Sequence, residues 1–390
     1  MAVSSSFSPF PSLLYPSTRH SPLSFPLKFL PSSKPYLLRS RTKALQQWRE
    51  YEDAVRDKDL ARALRFLQST QSSSIDSSSD LKSEMNLNSG FSTWDWDRPE
   101  RDWEILDTCL NADDMRLVGS AYGFLQDRGF LSNFGKCRDI VIEGPREVTP
   151  KVLKEYTGLE AIKLAPKKWG MSGASQLALI AFLGGASFLV SQGIEIRPNL
   201  AAILALATAD AIFLGGTCLA QISCFWPPYK RRILVHEAGH LLTAYLMGCP
   251  IRGVILDPFV ALQMGIQGQA GTQFWDENME SELAEGRLSS TAFDRYCMVL
   301  FAGIAAEALV YGEAEGGEND ENLFRSLCIL LKPPLSVPEM ANRARWSVMQ
   351  SYNLLKWHRR AHTAAVKALE AGHSLSVVIR RIEESLSSGV

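Results

Sequence analysis

Lys230-Arg-Arg-Ile-Leu-Val-His236-Glu237-Ala-Gly-His240-Leu-Leu-Thr-Ala-Tyr-Leu-Met-Gly248 carries an H-E-x-x-H motif inside a run that reads as a helix. Apolar residues recur at Ile233, Leu234, Leu241, Leu242, Tyr245 and Leu246, which is helical spacing, with Pro227 and Pro228 just before the run and Gly248 just after it. The pattern predicts a helix over 230–248. On that helix His236 and His240 lie one turn apart on one face, so two imidazoles can hold one Zn²⁺. Glu237 sits beside that face, placed to take a proton from metal-bound water. A five-residue pattern with three fixed positions also arises by chance, and buried helices carry histidines that bind nothing. Against this, two histidines and a glutamate are costly to bury in an apolar helix unless something offsets their desolvation. A metal site is therefore the expectation.

The rest of the chain says where such a site would work. Its 390 residues are 46% hydrophobic, enough for one large or two ordinary domains. Residues 1–49 contain no Asp or Glu and carry Arg19, Lys28, Lys34, Arg39, Arg41, Lys43 and Arg49 among many serines and prolines. That composition reads as an organelle transit peptide. It reads as chloroplast rather than mitochondrial, because the arginines draw no amphipathic helix; an unstructured tail is the alternative. Taking those seven cations from the 41 Lys and Arg leaves 34 against 42 Asp and Glu. The remaining chain is acidic, which argues against a nucleic-acid partner. The seven cysteines form no C-x-x-C pair and no secreted-type framework, and they are read as reduced.

Residues 46–68 read as a charged helical run with apolar points at Trp48, Tyr51, Val55, Leu60, Leu64 and Leu67, followed by a Ser-rich linker over 69–92. Residues 93–168 form an accessory region of unassigned role. There Asn111 is expected to cap a helix through Arg128, with a strand near Asp139–Glu143 and a helix from Pro150 to Tyr156. From Trp169 to Ile194 no charged residue occurs, and Leu200–Trp226 is apolar except for Asp210. Each run is long enough to cross a bilayer as a helix, though a mid-membrane Asp costs about 3 kcal/mol on the insertion scale. A buried core hairpin competes with the two-span reading. Lys163, Lys167 and Lys168 before the runs and Lys230, Arg231 and Arg232 after them place both flanks on one side of a membrane, the stroma in a plastid.

A catalytic Zn²⁺ takes three protein ligands and an open position. His358 and His362 also lie four apart, but Arg359 and Arg360 stand between them, so a solvated basic helix face is expected rather than a second site. A carboxylate third ligand is expected from between Glu307 and Glu321. His236-Glu-Ala-Gly-His240, Phe301-Ala-Gly-Ile-Ala-Ala-Glu-Ala-Leu-Val-Tyr-Gly312 and Gly316-Gly-Glu-Asn-Asp320, in that order, resemble the peptidase domain of the FtsH family of membrane-bound zinc proteases. Leu354–Arg360, Ala365–Leu369 and Leu375–Ile382 look like that family's closing helices, so the resemblance covers about residues 228–385. It implies Asp320 as the third ligand. Glu307 is then either an orienter of one histidine or simply a satisfied buried carboxylate.

The resemblance implies a mainly α fold, α+β with a small β element. A two-helix membrane hairpin over 169–226 would precede a helical FtsH-like zinc peptidase domain over 227–390, with 50–92 and the accessory α/β region 93–168 ahead of both. Two departures stand out. No G-x-x-x-x-G-K-[ST] phosphate loop occurs anywhere, so the ATPase module of that family is missing. Glu315-Gly316-Gly317-Glu318 replaces the family's Thr-Thr-Gly-Ala, and Ile304 stands where it has Arg. The expectation is an ATP-independent, membrane-anchored zinc endopeptidase of plastid proteins. His236, His240 and Asp320 would hold Zn²⁺, Glu237 would act as general base, and unfolded or flexible chains would be the substrates. They would lie as an added strand along Val254–Leu256 or Ile266–Phe274. A non-cleaving assembly factor, partnered with FtsH-type subunits or with itself, is the alternative; a zinc-stabilised structural protein is a third.

Overall fold

The computed structural model describes residues 48–79, 99–138, 146–165, 227–256, 271–284 and 290–388. Residues 1–47 of the region expected as a transit peptide, the strand near 139–143, both apolar runs with Asp210, and Gly265 and Gly268 lie outside the described residues.

Helix α1 spans 48–56 and α2 spans Leu60–Ser79. They come from the charged run expected as one helix, which breaks at Lys58, a non-glycine residue with φ of 56°. Helix α2 also continues through serines expected to form linker. A turn at Pro99–Asp102 leads into a 3₁₀ stretch, Trp103–Asn111, and then α3, Met115–Asp127. The cap of α3 is Asp114, whose carboxylate accepts from Arg116 N–H, and not Asn111, which closes the 3₁₀ stretch. Helix α4, Pro150–Thr157, begins where expected, with the Thr149 hydroxyl accepting from Val152 N–H. A 3₁₀ turn follows at Ala161–Leu164.

Helix α5, Pro227–Met247, carries the two-histidine motif. Strands β1, Ile251–Ile255, and β2, Gly271–Phe274, pair antiparallel, with a register shift between Ile251 and Gly253. Helices α6 (Glu277–Ala284), α7 (Ser290–Leu300), α8 (Ala302–Tyr311), α9 (Glu318–Leu330), α10 (Val337–Trp357), α11 (Arg359–Glu370) and α12 (Leu375–Ser387) complete the described chain. The architecture is mainly helical with one small sheet.

From Leu234 to Cys249 every residue of the motif stretch is buried, on all faces. A helix without a polar stripe belongs at the centre of a core, and α5 packs against α7, α8, α10, α11 and both strands. Leu241, Leu242 and Tyr245 are fully enclosed; truncating such a leucine to alanine costs about 2–5 kcal/mol. Closest of all is the crossing with α8. A Cβ on Gly239 would stand 2.6 Å from the Ala302 carbonyl oxygen and from Ala306 Cβ, so only glycine admits this approach.

Residues 99–138 and 146–165 share this core. Gly135 and Cys137 N–H donate to the Tyr245 and Leu246 carbonyls at the end of α5 (3.0 and 2.8 Å), and Tyr122 Oη donates to the Ile251 carbonyl (3.1 Å). Buried Glu383 of α12 accepts from Asn133 N–H (2.9 Å), Asn133 Nδ2 (2.6 Å), Ser132 Oγ (3.0 Å) and the Tyr245 hydroxyl. Cys109, Cys137, Cys249, Cys297 and Cys328 are free and buried. Among the described residues no helix is long and apolar enough to cross a membrane.

Candidate metal centre

One turn of α5 sets His236 and His240 side by side, with ring centroids 4.7 Å apart. Asp320 arrives from the first turn of α9, and its Oδ2 lies 3.1 Å from His236 Nε2 and 3.4 Å from His240 Nε2. The three ligand atoms lie within 4.8 Å of one another. Asp320 reaches them because α9 starts sharply at Gly317, whose φ of 97° is left-handed and tolerated by glycine.

The other ring nitrogens fix the tautomers. His236 Nδ1–H donates to Glu307 Oε1 (2.8 Å), and His240 Nδ1–H donates to the Val299 carbonyl (2.8 Å). A carboxylate and a carbonyl can only accept, so both protons belong on Nδ1. Each neutral ring then turns an Nε2 lone pair toward the same carboxylate oxygen. Three electron-rich atoms at this spacing repel one another unless a cation or a proton lies among them. Two imidazoles and a carboxylate are a donor set that suits Zn²⁺, and each histidine already has the outer partner that zinc-ligating histidines use.

Without metal, protons take that role. Burial disfavours the charged form of His236, but hydrogen bonds to Asp320 and Glu307 outweigh it and hold the pKa well above the usual imidazole range. His240 is raised as well: burial opposes, and the Asp320 charge prevails. Asp320 is held below the usual carboxylate range, because the charge of His240 and hydrogen bonds from both histidines overcome burial. These directions favour a positive charge among the three groups.

Glu307 does both things its position allowed. Its Oε1 accepts from His236 and from Gly316 N–H (3.1 Å); its Oε2 accepts from Arg232 Nε (2.7 Å) and Glu315 N–H (2.9 Å). It orients a histidine and is fully satisfied by doing so. Arg232 also pairs with Glu315 (2.9 Å) and donates to the Glu313 carbonyl (3.0 Å). Only Lys230 and Arg231 of the basic trio are exposed; Arg232 is turned inward. The two glycines that lead into α9 have local reasons. A Cβ on Gly316 would lie 2.6 Å from Glu307 Oε1, and one on Gly317 would meet Ile304 Cγ1 at 2.5 Å. The preceding Gly303 forms the floor under His236, since a Cβ there would lie 2.2 Å from Nε2.

Glu237 is buried at the edge of a cleft of about 110 Å³ that it lines with His240, Asp320, β2, Tyr296, Leu300 and Leu323. Its Oε2 accepts from Thr272 N–H (2.7 Å) and Thr272 Oγ1 (2.8 Å). Thr272 carries no sequence signal, because what selects it is a contact from a strand 35 residues away. Arg232 did carry one: it stands one helical turn before His236, on the same face.

The second histidine pair is not the solvated face expected. His362 is buried, and its Nε2–H donates to the Val235 carbonyl (3.0 Å). Burial lowers its pKa. His358 lies at the break between α10 and α11, so one continuous helix does not carry both rings. Arg359 and Arg360 are exposed as anticipated.

No protein-family model, curated protein or solved structure matches the chain.

Proposed function

We propose that the chain is an ATP-independent zinc endopeptidase, similar to the FtsH peptidase domain, anchored in a plastid membrane with its catalytic part in the stroma. The observation that carries the reading is the convergence of His236, His240 and Asp320 with Glu237 on the wall of the same cleft. A bound Zn²⁺ supplies a Lewis acid that polarises a scissile carbonyl and makes water more acidic. Glu237 takes the proton of the attacking water and passes it to the leaving amine. Thr272 holds that carboxylate through Oε2, and the Gly271 backbone closes over it, a Cβ there lying 3.2 Å from Oε1. Burial keeps the Tyr296 phenol protonated, so on the cleft wall it offers a donor to a carbonyl oxygen as charge develops. With no phosphate loop in the sequence, substrates are unfolded, flexible or already extracted chains. An extended segment fits beside β2, which forms one wall of the cleft.

The test is cleavage of a casein-like unfolded protein by wild type and by Glu237→Gln, each with its zinc content measured. Cleavage by wild type alone, at equal zinc, is the expected result; equal cleavage by both sinks the catalytic role of Glu237. A second reading, a metal-bearing assembly factor that does not cleave, draws on the two Thr272 donors already committed to Glu237 Oε2. Zinc in both proteins and cleavage by neither would favour it.

A further inference from the structure

The apolar stretch is flanked by Lys163 and by the start of α5, and both flanks are pinned to one turn after α8. The Lys163 carbonyl accepts from Ala314 N–H (2.9 Å). On the other flank, Arg232 stacks 4.7 Å from the centroid of the Tyr311 ring and donates to the Glu313 carbonyl (3.0 Å). Arg232 lies about 8 Å along α5 from Pro227. The sequence between these flanks is the apolar stretch whose two runs carry Asp210 as their one charge. Around the same turn the surface is apolar where a free surface would be polar. Ile162 is 82% exposed, Val310 45% and Tyr311 41%. Lys163, Lys230 and Arg231 are exposed beside them. Of the nearby acids, Glu160 pairs with Lys154 (2.9 Å) and Glu315 with Arg232 (2.9 Å), while Glu370 lies within electrostatic reach of Tyr311.

We infer that this face, Ile162, Val310 and Tyr311 rimmed by Lys163, Lys230 and Arg231, rests in the headgroup layer of a phospholipid bilayer. A lone exposed apolar residue is ordinary. Three of them, one a tyrosine, beside exposed cations and at the two flanks of an apolar stretch, match the aromatic and basic composition of a membrane interface. The inference rests on the proposed spanning of residues 169–226 and adds to it which side of the folded unit meets lipid. It also brings the motif helix to the bilayer by its N-terminal end, through the Arg232–Glu307–His236 chain of contacts.

The experiment uses the full chain, with Cys218→Ser and Cys224→Ser, in vesicles of phosphatidylcholine and phosphatidylglycerol. A fluorophore is attached at Ile162→Cys or, as control, at Lys136→Cys. Lys136 is exposed near Tyr245, about 27 Å along α5 from Pro227. Doxyl-labelled lipid should quench the label at 162 several-fold more than the one at 136, and aqueous iodide should do the reverse. Equal iodide quenching at both positions, in protein that resists carbonate extraction, overturns the lipid-facing surface while leaving the spans standing. Release of the protein by carbonate removes the spans and the surface together. Shielding of position 162 from both quenchers also overturns the inference, because protein then covers the face.

Discussion

His236–His240 and His358–His362 have the same spacing in the sequence and opposite fates in the fold. The first pair lies on one unbroken helix, each Nδ1–H tied to an acceptor and each Nε2 turned to Asp320. The second pair straddles a helix break, and His362 spends its Nε2–H on the Val235 carbonyl, next to His236 in sequence. Spacing four apart is thus permissive only. A metal site forms where outer acceptors hold both rings in the ligating tautomer and a third ligand closes on them. The buried His362 supports the motif helix from behind.

The comparison can be broken at either pair. Removing the base has the largest expected effect: Glu237→Gln should lower cleavage of an unfolded chain by about 10²–10⁴ with zinc retained, read by steady-state rates beside metal analysis. Behind the first pair, Glu307→Gln weakens the acceptor that orients His236 and should loosen zinc about 10–100-fold, measured by competition with a chelating dye. Acidification acts in the same direction. His236 and His240 are raised in the metal-free site, so zinc must displace protons. Affinity should therefore fall as pH drops, about tenfold per unit for each proton displaced. Affinity that rises or stays flat from pH 8 to 6 would contradict the proposed ligand set. The smallest effect on zinc is expected from the second pair. His362→Ala should leave zinc affinity unchanged while costing about 1–3 kcal/mol of stability, because a buried hydrogen bond is lost and the space of the imidazole is left empty; denaturant unfolding and the same dye titration separate the two.

What could be read beforehand followed from local chemistry. Apolar spacing and the flanking Pro and Gly marked α5, and Pro150 marked the start of α4. His236, Glu237 and His240 are adjacent enough for helix geometry alone to group them. Asp320 is 80 residues beyond His240, and only the resemblance of ordered motifs pointed to it. The misses are tertiary. Apolar spacing marked six positions of the motif helix, whereas Leu234–Cys249 is buried all round, with α8 approaching closely through Gly239. Thr272 and the Val299 carbonyl act on the site from separate elements, and no spacing rule foretells which backbone group will face a given ring. Arg232 was counted among surface cations; its partners Glu307 and Glu315 are 75 and more residues away.

Zinc titration of the full chain after chelation, comparing wild type with Asp320→Ala, decides whether these three side chains form one zinc site. One zinc per wild-type chain is expected, and in the variant an affinity lower by about 3 kcal/mol, on the order of 10²-fold, as a share of the energy a complete ligand set supplies. Zinc bound equally tightly by both would contradict it.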